Sequence, residues 1–204
     1  ECPLGTYQPN SAQASCLDAD PGYFVPSIAS ISQTPCPSGT YNPSEASGNS
    51  TDCIPADLGN YVDKMGSSTQ YLCSPGTYQD SLGQTSFRNA DSGYYVPSEG
   101  QSEQTPAPLD AYVVSAQSTS YENCQENYIT LQVAAVSADD CYLDTDGDRI
   151  HDIVDQDDDG DGVDDVLDLC SLGLMDWVSD PVSDFDGDGC KDSDEDSDDD
   201  NDGF

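Results

Sequence analysis

A six-residue phrase recurs through the first two-thirds of this chain and constrains its fold more than any other feature. Cys2-Pro3-Leu4-Gly5-Thr6-Tyr7 returns as Cys36-Pro37-Ser38-Gly39-Thr40-Tyr41 and as Cys73-Ser74-Pro75-Gly76-Thr77-Tyr78. A weaker copy is Ala107-Pro108-Leu109-Asp110-Ala111-Tyr112. The starts lie 34, 37 and 34 residues apart. A second landmark appears as Gly22-Tyr23-Phe24-Val25, Gly59-Asn60-Tyr61-Val62 and Gly93-Tyr94-Tyr95-Val96, with a fourth copy at Asn127-Tyr128-Ile129. Fixed-period self-similarity marks architectures in which small units lean on their neighbours. A unit of about 34 residues is too small to stabilise itself by burial alone. Its Tyr- and Val-rich runs, bounded by Pro, Gly, Ser and Asn, favour short strands and turns over helices.

The expectation is a mainly β or irregular chain that begins as an elongated, disulfide-linked rod of short strands. Its units are 2–35, 36–72, 73–106 and 107–141, the last degenerate. A disordered Ser/Thr/Pro/Gly-rich stalk gives no reason for Cys and Gly-Thr-Tyr to keep phase. The in-phase Tyr7, Tyr41, Tyr78 and Tyr112 are read as packing between units. Only 35% of residues are hydrophobic, against about 45–50% (Gly included) in an ordinary domain, so one large core is not expected. Nine cysteines in so polar a chain point to an oxidising, extracellular setting. No apolar stretch approaches the roughly 18–20 residues of a membrane span. No signal peptide is present, so the sequence reads as a mature or trimmed product.

Cysteine phase suggests a pairing. Each of the first two units has a first and a second cysteine: Cys2 and Cys16, then Cys36 and Cys53. The third unit has Phe87 at its second position, and the fourth has Ala107 at its first. Pairing the second cysteine of one unit with the first of the next turns Phe87 and Ala107 into one lost bridge. Cys16 to Cys36, Cys53 to Cys73 and Phe87 to Ala107 are each 20 residues apart, as are Cys170 and Cys190. The expected bridges are Cys16–Cys36, Cys53–Cys73, Cys124–Cys141 and Cys170–Cys190. Cys2 is then left over, for a preceding segment, another chain or a free thiol. Pairing within units, Cys2–Cys16 and Cys36–Cys53, stays open as the alternative.

The formal net charge is −37, which removes any electrostatic basis for gripping nucleic acid or an anionic membrane. Of 41 acidic residues, 14 lie in 1–138 and 27 in 139–204, the latter against only Arg149 and Lys191. The boundary falls near Ala138–Asp140. A solvated acidic tail is the usual meaning of such a block, but a tail has no phase and this one does. Calcium takes six to eight oxygen ligands, which a 12-residue loop supplies from positions 1, 3, 5, 7 (a backbone carbonyl), 9 and 12.

Three windows match. The first is Asp144, Asp146, Asp148, the Ile150 carbonyl, Asp152 and Asp155. The second is Asp157, Asp159, Asp161, the Val163 carbonyl, Asp165 and Asp168, with Gly162 at position 6. The third is Asp184, Asp186, Asp188, the Cys190 carbonyl, Asp192 and Glu195, with Gly189 at position 6. Glu195 has the side chain best suited to present both oxygens to a metal. A fourth window opens with Asp198, Asp200 and Asp202 and reaches only position 7, at Phe204. Arg149 at position 6 and Gly147 at position 4 are departures expected to distort loop one.

Magnesium, which prefers to keep its waters, and zinc, with one histidine on offer, fit less well. Calcium is the one cofactor expected. Residues 170–183, with the only Trp, Trp177, are expected to form a small apolar insert packed under the loops and closed by Cys170–Cys190.

The Cys-Pro-x-Gly-Thr-Tyr units with Gly-Tyr-x-Val, in residues 2–141, resemble the cysteine-rich repeats of ephrin-receptor and tumour-necrosis-factor-receptor type ectodomains. Residues 144–168 and 184–204 resemble thrombospondin type-3 calcium repeats, most clearly at Asp157-Asp158-Asp159-Gly160-Asp161-Gly162-Val163-Asp164-Asp165. The combination resembles large secreted or surface proteins of environmental archaea and bacteria, in which such modules form stalks and fibres. The resemblance implies an extracellular, calcium-dependent architecture with a thrombospondin-like region at 142–204. It supplies neither a substrate nor a partner.

No catalytic constellation is visible. His151, the only histidine, lies inside calcium loop one, and no Cys or Ser has a positioned base. Asn49-Ser50-Thr51 is the one N-glycosylation sequon and is expected in an exposed loop. The leading expectation is a calcium-stiffened structural segment of an extracellular filament, stalk or matrix, with self-association or a longer chain completing its ends. Glu1 of a neighbour is a conceivable donor to the last loop. The alternative is an adhesive or receptor-like ectodomain that binds a protein or glycan.

Overall fold

The structure is a computed structural model and describes residues 1–197. It is mainly β and irregular, as expected, and its recurring element is a two-stranded antiparallel hairpin. In chain order, hairpin 1 pairs Thr6–Tyr7 with Leu17–Asp18 and hairpin 2 pairs Tyr23–Phe24 with Thr34–Pro35. Hairpin 3 pairs Thr40–Tyr41 with Ile54–Pro55, and hairpin 4 pairs Asn60–Tyr61 with Tyr71–Leu72. Hairpins 5 and 6 pair Thr77–Tyr78 with Arg88–Asn89 and Tyr94–Tyr95 with Thr105–Pro106. Hairpins 7 and 8 pair Ala111–Tyr112 with Glu122–Asn123 and Tyr128–Thr130 with Cys141–Leu143. Among the described residues no helix is long and apolar enough to cross a membrane. The chain divides into two compact units, one of residues 1–107 with 113–121, the other of 108–112 with 122 onward.

The hairpins start 17 residues apart, with a single step of 20 between Thr40 and Asn60. Each sequence unit therefore holds two hairpins. The Cys-Pro-x-Gly-Thr-Tyr phrase and the Gly-Tyr-x-Val landmark are alternate copies of one turn and strand. Hairpins 3 and 8 accommodate extra residues as short 3-10 turns, Ser50–Asp52 and Ala138–Asp140, capped by the side chains of Asn49 and Ser137.

In the first unit each hairpin is tied to the next by three backbone hydrogen bonds. Gly5 N–H donates to Val25 O, Gln8 N–H to Ser30 O and Ala29 N–H to Cys2 O, at 2.8–3.0 Å. The same three bonds return, shifted by one hairpin, through Gly93 to Val113, Val96 to Ser118 and Gln117 to Ala90. The interior is a column of small side chains. Ala19, Cys36, Ala56, Cys73, Ala90 and Ala107 are fully buried, beside Val25, Val62 and Val96. Such a column suits units too thin for a core of large side chains.

In hairpins 1 to 5 the turn glycine is required twice over. Gly5, Gly22, Gly39, Gly59 and Gly76 have φ between +72° and +89°. A Cβ on any of them would overlap a backbone carbonyl two hairpins on: that of Ala46, Gly66, Gly83, Gly100 or Gln117 in turn. In hairpins 7 and 8 the position is Asp110 and Asn127, both at φ +61°. These residue types tolerate the left-handed region.

The disulfides correct the expected pairing. The bridges are Cys2–Cys16, Cys36–Cys53, Cys124–Cys141 and Cys170–Cys190. Cys16–Cys36 and Cys53–Cys73 do not form, because hairpin 2 lies between the first pair and hairpin 4 between the second. The first three bridges each close a single hairpin, with Cα atoms 5.6, 5.6 and 5.9 Å apart. The spare cysteine is the buried Cys73, whose hairpin partner position holds Phe87, and Cys2 is paired. In hairpins 2, 4 and 6 the same two positions hold Ala with Gln33, Gln70 or Gln104. Each Gln clasps an aspartate from both sides: Asp20, Asp57 and Asp91 donate their N–H to its Oε1, and its Nε2 returns to their Oδ2. A polar clasp thus stands between the disulfides of hairpins 1 and 3 and recurs in hairpins 4 and 6.

Phe87→Cys should create a fifth bridge, since Cys73 and residue 87 occupy the places of Cys2 and Cys16. A loop of this length contributes on the order of 3 kcal/mol. Thiol titration of the denatured, unreduced variant should find no free cysteine where the parent has one. Two free thiols would contradict the hairpin register.

Candidate metal centre: three aspartate loops

Within the second unit the backbone bond that recurs from hairpin to hairpin carries on into the acidic region. In hairpins 2 to 8 the first column residue donates its N–H to the turn carbonyl of the hairpin before, as Ala19 does to Gly5 and Cys124 to Asp110. Asp144, the first aspartate of loop one, makes the same bond to Asn127 O at 2.9 Å and is 3% exposed. A carboxylate therefore stands where the next Ala or Cys would stand.

Three loops share one backbone design. The carboxylates of Asp144, Asp146 and Asp148 converge, as do those of Asp157, Asp159 and Asp161, and those of Asp184, Asp186 and Asp188. Each set brings one oxygen per residue within 4.8 Å of the others and could hold a metal ion. At position 5, the Oδ1 of Asp148, Asp161 and Asp188 accepts the N–H of Ile150, Val163 and Cys190 at 2.6, 2.7 and 3.0 Å. At position 8, the carbonyls of His151, Asp164 and Lys191 accept the N–H of Asp155, Asp168 and Glu195.

Position 9 also makes backbone bonds of its own. Asp152, Asp165 and Asp192 each accept the N–H of position 2, from Thr145, Asp158 and Phe185 at 2.9, 2.8 and 3.1 Å. Their own N–H groups bond the residue just before the loop: Leu143, Gln156 and Ser183. Position 9 clasps the loop shut and stays outside the converging triplet.

Loop one is not distorted in the way its sequence suggests. Gly147, Gly160 and Gly187 occupy position 4 in all three loops, at φ +80°, +72° and +74°. Gly147 is thus the common pattern. At position 6 Arg149 adopts φ +77°, beside +98° and +86° for Gly162 and Gly189. Its guanidinium forks onto Asp110, Nη2 to Oδ1 at 3.0 Å and Nη1 to Oδ2 at 3.2 Å. Asp110 also accepts the Thr130 N–H. Arg149 therefore anchors loop one to hairpins 7 and 8.

The loops expose a chemical need. Asp144 Oδ1, Asp157 Oδ1, Asp161 Oδ2, Asp168 Oδ2 and both oxygens of Asp186 are buried with no hydrogen-bond partner. Buried carboxylate oxygens are normally satisfied, and several in one loop repel one another. Burial, aided by the charges of Asp165 and Asp152, pushes the Asp158 carboxyl up to about 6. Burial, with Asp159 and Asp161 adding to it, pushes Asp168 up to about 6 as well. Burial is also the main cause raising Asp146, Asp159 and Asp161. Asp184 goes the other way: burial opposes the shift, but bonds from Ser179, Gly189, Gly187 and Asp188 outweigh it and lower its carboxyl.

With folded values above the ordinary 3.8, the cation-free folded state binds more protons than the unfolded chain. Its stability is fully present below about pH 4 and falls as pH rises through about 6. Calcium-free protein should melt at a higher temperature at pH 4 than at pH 7, and saturating calcium at pH 7 should reverse the order. A calcium-free melting temperature that rises over this range would contradict the assignment.

The insert is not an apolar plug. Leu172, Leu174, Met175 and Val178 are all exposed. Its contribution is polar: Gly173 N–H donates to Asp159 Oδ2, Leu174 N–H to Glu195 Oε1, Ser179 N–H to Asp161 O, and Ser179 Oγ to Asp184 Oδ2. Trp177 lies half-buried under Lys191, whose Nζ sits 5.9 Å from the ring centre. Asp155 turns into the next loop, accepting the N–H of Gln156 and Asp157. His151 packs its ring 4.9 Å from that of Tyr142. Asn49 is exposed, its Oδ1 accepting the Thr51 N–H. The fourth window, Asp198, Asp200 and Asp202, lies outside the described residues.

Sequence reasoning missed the position-4 glycines, although all three are visible in the chain. It also missed the ion pair of Arg149, for which sequence spacing carries no signal. The chain matches no protein-family model and no curated protein.

Proposed function

We propose that this chain is an extracellular calcium-binding structural protein, a segment of a surface filament, stalk or matrix. The observation that carries the reading is the threefold recurrence of one loop design whose buried carboxylate oxygens have no hydrogen-bond partner. Every convergent donor is a hard oxygen, and the backbone carbonyls of Ile150, Val163 and Cys190 stand at position 7 to add another. That donor set suits calcium; zinc selects imidazole and thiolate, and magnesium demands a tight octahedron and keeps its waters. Sites of extracellular modules typically bind at about 10⁻⁴–10⁻³ M, a range that extracellular calcium fills.

Four disulfides support an oxidising location. The hairpin ladder supports a structural role, because each layer is held by the next through backbone bonds and small side chains and leaves few groups for chemistry. Pairing of Cys2 with Cys16 removes Cys2 as a link between chains, so assembly rests on the ladder and the calcium loops. Negative-stain imaging of the full chain with calcium, then in EDTA, tests this. Extended or end-joined particles that depend on calcium support the structural reading. Compact monomers in both conditions contradict it.

A further inference from the structure

Glu195, at position 12 of loop three, sends one of its carboxylate oxygens to the insert. Its Oε1 accepts the N–H of Leu174, 21 residues earlier, at 2.7 Å. The adjoining Gly173 N–H donates to Asp159 Oδ2 of loop two at 2.9 Å. A Cβ placed on Gly173 would lie 2.7 Å from Glu195 Oε1 and 3.1 Å from Asp159 Oδ2. Two successive amides of the insert therefore hold one carboxylate from each loop side by side, at a residue where only glycine leaves room.

Two further observations make this an ion site rather than an acidic cluster. Glu195 Oε2 is buried with no hydrogen-bond partner. Asp161, fully buried in the loop-two triplet, leaves its Oδ2 equally unpartnered. The contact also runs in the other direction. Asp168, at position 12 of loop two, is 8% exposed and sits against Gly189 of loop three, and Leu169 N–H donates to Asp188 O at 2.8 Å. Cys170–Cys190 fixes the two loops together at this point. Like charges held this close repel unless a cation lies between them.

Resting on the calcium reading above, we propose that Glu195 is a ligand of the loop-two cation, so that loops two and three form one coupled pair of calcium sites. Filling loop two then fixes the end of loop three, and filling loop three presents Glu195 to loop two. The coupling acts through the insert, whose Gly173–Leu174 amides set the position of the shared carboxylate.

The test is a calcium titration of the full chain, competed with a chelator. Glu195→Gln keeps the size and the Oε1 acceptor but loses the charge, and should weaken one site by about tenfold. In an Asp186→Asn background, which disables loop three, Glu195→Gln should still weaken a remaining site, by less than in the parent, because the Leu174 amide keeps the carboxylate in place. In an Asp157→Asn/Asp161→Asn background, which disables loop two, it should cost nothing further. The reverse pattern, equal losses in both backgrounds, or no loss in the parent would overturn the shared site. Absence of calcium uptake by the unaltered chain would instead overturn the calcium reading on which it rests.

Discussion

Stripping calcium from the full chain will lower the melting temperature of residues 122–197 by on the order of 20 °C and leave hairpins 1 to 6 folded. A ligand bound only to the folded state at ten times its dissociation constant stabilises by roughly 1.4 kcal/mol per site. Three loops together reach about 4 kcal/mol, and each kcal/mol moves the midpoint of a unit this size by about 4–8 °C. The loops have little else to hold them. Ile153, Val166, Leu169 and Val182 are well exposed, so apolar burial is small. The triplets repel when bare, and Cys170–Cys190 limits unfolding without opposing that repulsion. Hairpins 1 to 6 contain no convergent aspartate triplet and depend on backbone bonds, Cys2–Cys16 and Cys36–Cys53. Limited proteolysis in EDTA should therefore cut first within 144–197 and leave a resistant N-terminal fragment. Identical digestion patterns with and without calcium would contradict this division of labour.

Gly59→Ala will destabilise the first unit by about 3 kcal/mol. Roughly 1 kcal/mol of this is the cost of an L residue at φ +72°. The rest comes from the new Cβ, which overlaps the carbonyl oxygen of Gly100. That oxygen belongs to the backbone two hairpins on, so no side chain can swing aside. The turn cannot retreat either, since Gly59 N–H is bonded to Gln79 O at 2.8 Å and Gly59 O to Cys73 N–H at 2.9 Å. Gly83→Ala is the matched control. It has φ +67°, but its nearest new contact is Pro55 Cβ at an ordinary 3.6 Å. It should cost only about 1 kcal/mol. Denaturant midpoints for the two variants separate conformational strain from close approach. Equal losses would mean that the layers are not packed as tightly as the ladder requires.

The comparison of Gly59 with Gly83 also shows what was legible in the chain. The turn glycines stand in phase in the sequence, and so do the tyrosines beside them, so short strands and turns could be read directly. The half-length period was also present, since Gly22-Tyr23 follows Gly5-Thr6-Tyr7 by 17 residues. It was masked because in hairpins 1 to 6 cysteine marks only alternate hairpins, Ala and Gln taking its place between them. Treating the cysteines as the repeat placed Cys16 opposite Cys36, although a whole hairpin separates them. The clasps of Gln33, Gln70 and Gln104 are the missing half of that pattern. In the acidic region, the carboxylates of positions 1, 3 and 5 were legible because they recur at one fixed spacing in each loop, and that spacing makes them converge. The partner of Glu195 at position 12 was not, because a chain reversal that loop spacing does not encode draws it to Leu174, 21 residues earlier. Arg149 looked like a defect in its loop. It is the anchor of that loop, paired with a residue 39 positions away.

Direct calcium titration of the full chain, compared with that of Asp161→Asn, tests the aspartate loops most directly. Asp161 is fully buried and keeps Oδ2 free of any hydrogen bond, so its loss should disable loop two. Calorimetry should find saturable uptake of at least three calcium ions per chain, one for each triplet, and one fewer in the variant. No saturable uptake, or the same stoichiometry and affinity in both proteins, would contradict the account.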